Sequence, residues 1–184
     1  MPRRYYTGIG SRETPLDVCD EMAWIAKWLR SKRYRLRSGH AIRADQAFEW
    51  GAEGSADIYL PWSGFEGSTS LLALDKLPAG AVRMAEEMAR KHHPAWDRCG
   101  RDARAFHTRN TFQILGFEGL SEFVVCWTKD GKASGGTGQA LRLAKHFKIP
   151  IVNMYHYPTE RKVKQRLGEL IPYLSEYQGS RIGD

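Results

Sequence analysis

Strand-like and helix-like runs alternate along almost the entire chain, each joined to the next by a short turn. That alternation constrains the fold more than any single motif. RYYTGI, Arg4 to Ile9, is rich in β-formers and stops at a glycine turn. Pro15 then opens a helix, because proline fits the first helical turn, and Val18, Met22, Ile25, Ala26 and Leu29 recur behind it at helical spacing. A second unit repeats the plan: YRLRSG is a short strand and IRADQAFEWGAEG a helix closed by Gly51 or Gly54. ADIYLPW reads as a third strand, ended by Pro61, and from Ser63 to Pro78 the pattern dissolves into a loop or extension over one edge. Helices resume with AGAVRMAEEMARKHH and RDARAFHTRNTFQILG. SEFVVCW follows as a strand buried on both faces, then GTGQALRLAKHF as a helix, IPIVNM as a strand, and one helical stretch from Thr159 to Leu174. Such alternation implies parallel pairing through right-handed crossovers. The expected fold class is α/β, a Rossmann-like three-layer domain with a mainly parallel twisted sheet and helices on both faces. A length of 184 residues suits one well-buried core, so a single domain over 1–184 is expected, with its core at about 4–153, a C-terminal helix and tail at 159–184, and YQGSRIGD fraying at the end.

Charge bears on partners. The formal net charge of +7 favours polyanionic or phosphorylated ligands, the alternative being a solvated lysine-rich face. No window approaches the roughly 18 apolar residues of a bilayer span, and MPRRYYTG lacks the apolar segment of a secretory signal, so a cytoplasmic location and no membrane partner are expected. Cys19, Cys99 and Cys126 are far apart and odd in number, with no C-x-x-C, which points to reduced thiols rather than a disulfide framework or a zinc module. His92 and His93 are adjacent, a spacing that does not put both on one helical face for a metal. Neither a metal nor a cofactor is expected.

In an open parallel sheet, ligands bind beyond the carboxyl ends of the strands, where loops diverge and helix N-termini present free N–H groups. Gly10, Ser11 and Arg12 follow the first strand; Ser38, Gly39, His40 and Arg43 follow the second; SGGTGQ, comprising Ser134, Gly135, Gly136, Thr137, Gly138 and Gln139, follows FVVCW. A fourth segment, HTRN with Arg109 and Asn110, lies on a helix. Gly8 and Gly10 either shape a phosphate edge or only permit a tight turn. SGGTG either turns backbone amides onto an anion, with Thr137 capping the helix or bonding a phosphate oxygen, or is a flexible connection. Arg12 is a phosphate clamp or a surface ion pair of Glu13 or Asp17, and Arg109 and Asn110 either join the edge or decorate an exposed helix face. Asp45 and Glu49, four apart, form an acid pair or serve solvated and capping roles. The tryptophans, Trp24, Trp28, Trp50, Trp62, Trp96 and Trp127, are read as core or interface fillers, with an exposed one near the glycine edge able to stack a base.

These segments resemble the DprA/Smf group of the SLOG superfamily. The resemblance rests on GIGSRETP for the first turn, RSGHAIRADQAFEWGA for the S-G-x-A-x-G-x-D segment, TRNTFQILGFEGLSEFVVCW for the R-N segment, and SGGTGQALRLAKHFKIPIVN for the last glycine turn and helix, covering roughly Arg4 to Asn153. It implies a compact, phage-type protein of the host cytoplasm that binds single-stranded DNA, assists a recombinase and forms a homodimer. Carried over by position, Gly10, Ser11, Arg12, Ser38, Gly39, Asp45, Arg109 and Asn110 line its basic pocket. His40 and Arg43 depart from the small residues of that pattern, and residues 63–100 form a family-variable insertion. The same superfamily includes nucleotide-ligand sensors and sequestering proteins, and LOG-type phosphoribohydrolases. The P-G-G-x-G-T-x-x-E motif of the latter meets SGGTGQALR here, with Arg142 in the glutamate's place, so no catalytic residue is assigned: a guanidinium cannot stabilise positive charge developing on a ribose.

Overall fold

A computed structural model describes residues 3–175; the YQGSRIGD tail lies outside the described residues. The elements in chain order are β1 (Arg4–Gly10), α1 (Leu16–Ser31), β2 (Tyr34–Ser38), α2 (Ala44–Ala52), β3 (Ala56–Leu60), β4 (Leu72–Ala73), α3 (Ala79–His92), α4 (Arg101–Leu115), β5 (Val124–Trp127), α5 (Gly135–His146), β6 (Ile151–Asn153), α6 (Glu160–Leu170) and α7 (Pro172–Ser175). The strands form one sheet in the order β4-β3-β2-β1-β5-β6, and every neighbouring pair is parallel. This is the expected Rossmann-like α/β architecture.

Side-chain alternation along the strands builds a core on each face. Tyr6, Leu36, Val125 and Val152 pack with Met22, Ile25 and Leu29 of α1, Phe48 of α2 and Leu167 of α6. On the opposite face Ile9, Val124 and Cys126 meet Ile114 of α4 and Leu141, Leu143 and Ala144 of α5. Strand β5 is buried on both sides, as its unbroken apolar run requires. Among the described residues no helix is long and apolar enough to cross a membrane.

One open alternative closes and three local expectations change. Gly51 does not end α2 but sits inside it, where an added Cβ would lie 2.1 Å from the Ala23 carbonyl oxygen of α1; the helix closes at Glu53 and Gly54, both with positive φ (46° and 81°). The stretch 63–78 contains β4, whose two residues are too few to show an alternation. The C-terminal helical stretch is two helices, because Pro172 lacks the N–H that would continue α6 and forces Ile171 into an extended conformation (φ −120°, ψ 102°). Trp96 and Trp127 are buried, whereas Trp24 and Trp50 are 57% and 79% exposed on α1 and α2 and fill no part of the core.

Candidate functional site

The chain runs outward from β1 to β4, then returns to the other side of β1 to place β5 and β6. The strand order therefore reverses between β1 and β5, and their two exit turns diverge there to leave a crevice. Ser11 N–H donates to the Trp127 carbonyl (3.1 Å), joining those turns at the base. Above this contact opens a cavity of about 660 Å³, walled by Gly10, Ser11, Arg12 and Glu13 after β1, Asp45 of α2, Phe106, Arg109, Asn110 and Gln113 of α4, and Thr128, Lys129 and Ser134 to Thr137 around the β5 exit.

The turn after β1 is tight for local reasons. Ser11 Oγ accepts from Glu13 N–H (3.0 Å), and Thr14 Oγ1 donates to the Ser11 carbonyl (2.6 Å). A side chain at Gly10 would stand 2.6 Å from Ala44 Cβ. This glycine permits a close approach to α2 and lies in the cavity wall. Arg12 forms an ion pair with no carboxylate among the described residues; Glu13 pairs instead with Lys129 (3.3 Å) across the mouth, while the Arg12 guanidinium lies 5.6 Å from the Phe106 ring centroid. A cation over an aromatic face remains free to meet an anion.

The floor is a buried ion pair. Arg109 and Asp45 are 4% and 3% exposed, and Arg109 Nη1 donates to Asp45 Oδ2 at 3.4 Å. Asp45 also accepts from Gly10 N–H (3.3 Å). Burial pushes the Asp45 carboxyl up and the Arg109 guanidinium down, with each group's charge opposing the shift of the other. The hydrogen-bond network orients the Gln113 amide so that its oxygen accepts from Gly39 N–H (2.9 Å) and Arg109 Nη1 (3.2 Å) while its nitrogen donates to Asn110 Oδ1 (3.1 Å). Arg109 and Asn110 are thus part of the site rather than an exposed helix face. Asp45 and Glu49 are not an acid pair, since Glu49 binds His40 Nδ1 (2.6 Å).

The N-terminus of α5 supplies the third wall. Gly135 takes φ +62°, a left-handed conformation that suits glycine, and the N–H groups of Gly135, Gly136 and Thr137 have no acceptor among the described residues. Asn110 Nδ2 donates to the Gly136 carbonyl (3.1 Å) and fixes this turn to α4. No acidic side chain lies in the first turn of α5, so its N-terminal dipole faces the cavity uncompensated within the helix. Ser134 occupies the capping position, yet its hydroxyl donates to Asp130 (2.7 Å); Thr137 faces the cavity and makes no cap.

Several expected site residues lie off the cavity. Ser38 Oγ donates to the Gly8 carbonyl (2.6 Å), and Gly39 lies beneath Arg109, where a Cβ would fall 1.1 Å from Nη1. Arg43 is exposed at the start of α2, in a positive-φ conformation (74°) and outside the cavity. Gly138 is required by packing, a Cβ there lying 2.5 Å from the Ala133 carbonyl oxygen, and Gln139 is wholly buried with neither amide atom bonded among the described residues. Arg142 donates to the carbonyls of His92 (2.9 Å) and Ala133 (3.2 Å) and does not reach the cavity.

Residues missed in the sequence are Phe106, His107, Gln113, Thr128 and Lys129. Burial, then His93, Arg142 and Arg109, push the His107 imidazole down to about 4. We expect Gly39→Ala to push the buried Arg109 guanidinium off Asp45 and to destabilise the fold, measured by chemical denaturation, by up to about 3–5 kcal/mol, the cost of losing that pair. No family model, curated protein or solved structure matches the chain.

Proposed function

We propose that the cavity binds a nucleotide, with its phosphate on the free N–H groups of Gly135, Gly136 and Thr137 and beside Arg12. The observation that carries this reading is the convergence of those amides with the unpaired Arg12 on one cavity at the point where the strand order reverses. Its volume of about 660 Å³ falls within the common range for small-ligand sites, roughly 300–1,000 Å³. The Phe106 ring offers an aromatic face beside Arg12 for a base or sugar. In a second reading the nucleotide is one unit of a single DNA strand, as in the DprA-like recombination accessory role; the net charge of +7 favours it, because a strand needs phosphate contacts beyond one cavity.

Binding of nucleoside monophosphates, set against a labelled single-stranded oligonucleotide over a salt series, tests both readings. A nucleotide ligand predicts competition at the cavity with modest salt dependence, and a strand predicts a steep salt slope. Arg12→Ala is expected to weaken either interaction about tenfold, the equivalent of a charge-assisted hydrogen bond of ~1.5 kcal/mol. Absence of binding to both probes, in a folded protein, refutes the proposal.

A further inference from the structure

His93, Cys99 and His107 come from three successive pieces of chain. His93 caps the C-terminus of α3, Cys99 follows the single helical turn Trp96–Arg98, and His107 lies in the second turn of α4. Each offers a donor atom, and these donors lie within 4.8 Å of one another. Cys99 Sγ is 3.8 Å from His93 Nδ1, and the two imidazole rings are 4.3 Å apart at their centroids. The side chain of His107 is nine-tenths buried, and its Nδ1 has no hydrogen-bond partner among the described residues. A buried ring with an unpartnered nitrogen, stacked close to a second imidazole and with a thiol within reach of the cluster, needs an explanation that packing does not provide.

We propose that His93, Cys99 and His107 form a binding site for a divalent transition metal of the zinc class. Metal–sulfur and metal–nitrogen bonds of about 2.3 and 2.0–2.1 Å in tetrahedral geometry place donors roughly 3.5 Å apart, so small side-chain movements close the site around an ion. One thiolate and two imidazoles select zinc, cobalt or nickel over magnesium and calcium, which take oxygen ligands. Binding releases the Cys99 thiol proton to solvent. At His93 the Nδ1 lone pair, which accepts from Ala95 N–H at 3.1 Å, passes to the metal while Nε2 keeps the ring proton. The thiolate charge offsets the ion against the nearby Arg142. Three protein ligands leave a fourth position for water or an exogenous donor, the arrangement of an open rather than a closed site. The buried Trp96 ring, 6.2 and 6.4 Å from the rings of His93 and His107, gives the cluster an apolar neighbour. His107 is shared with the cavity wall, so the ion would sit beside that cavity whatever it binds.

Cobalt(II) titration of the full-length chain under reducing conditions tests the proposal, followed by zinc competition against a chromophoric chelator. One equivalent of cobalt with a thiolate-to-metal charge-transfer band, displaced by zinc, is the expected result. Cys99→Ser removes the band, and both Cys99→Ser and His93→Gln weaken zinc binding by at least about tenfold; His156→Gln, at an exposed site elsewhere, changes neither. Circular dichroism establishes that each variant is folded. No stoichiometric metal on the parent chain, or an unchanged band and affinity in Cys99→Ser, overturns the assignment.

Discussion

Replacing Arg109 with methionine is expected to destabilise the fold by about 3–5 kcal/mol near neutral pH, read as the shift in a denaturant midpoint at unchanged slope. The guanidinium is 4% exposed and its partner Asp45 is 3% exposed, so methionine fills much of the volume but leaves a buried carboxylate without a counter-charge. The penalty depends on pH in a definite direction. Burial already raises the Asp45 pKa above its ordinary 3.8, and loss of Arg109 raises it further. A carboxyl whose folded pKa exceeds its unfolded one costs nothing below the unfolded value, because it is neutral in both states. The deficit of the variant relative to the parent therefore vanishes in acid, where Asp45 is neutral in both folded proteins, and grows as the pH climbs past the raised pKa of Asp45 in the parent. Adding Asp45→Asn to Arg109→Met removes the orphaned charge and is expected to restore most of the lost stability. A single variant costing less than about 1 kcal/mol at pH 7, or one whose deficit is independent of pH, rules out a buried ionised pair.

Gly51→Ala is the second large effect, and its cause is steric. Its Cβ would stand 2.1, 2.8 and 2.9 Å from the carbonyl oxygen, carbonyl carbon and Cα of Ala23. All three are backbone atoms of α1, so no rotamer change relieves the contact and the two helices must separate. A loss of about 3 kcal/mol, the upper part of the range for overpacking, is expected in thermal or chemical unfolding. Gly54→Ala is the control: its Cβ meets nothing within 4 Å, and only the positive φ of 81° opposes it. That strain costs about 1–2 kcal/mol. If Gly51→Ala proves no worse than Gly54→Ala, close helix approach is not the reason for this glycine.

The architecture was legible because its signals are local. Helical spacing in α1 and the apolar run of β5 are each contained within one segment, and short turns between such segments leave few topologies. Parts that depended on distant neighbours were not legible. Gly51 resembles a helix terminator in sequence, and only the approach of Ala23 shows it to be a contact. At the site, the glycine turns and HTRN stand out in the sequence, but nothing local shows that Ser38 and Gly39 support the floor and that Arg43 lies outside the cavity. One missed signal was present. Phe106, Arg109, Asn110 and Gln113 are spaced three, four and seven apart on α4, a single helical stripe of mixed polarity directed into the cavity. A search for apolar periodicity passes over such a stripe. The approach of His93 and Cys99 to His107 has no sequence pattern, because it depends on how α3 returns against α4.

The reversal of strand order between β1 and β5 has a consequence for assembly. The cavity is a seam: Gly10 to Glu13 and Asp45 belong to the first half of the chain, while Thr128 to Thr137 arrive only after the long excursion through β4, α3 and α4. Both halves contribute to the wall, and the contacts that close the seam are among the most distant in sequence, the kind that form late in folding. A ligand spanning it would act as a clasp, holding β5 and α5 against β1 and strengthening the whole fold in proportion to the logarithm of its concentration above the dissociation constant.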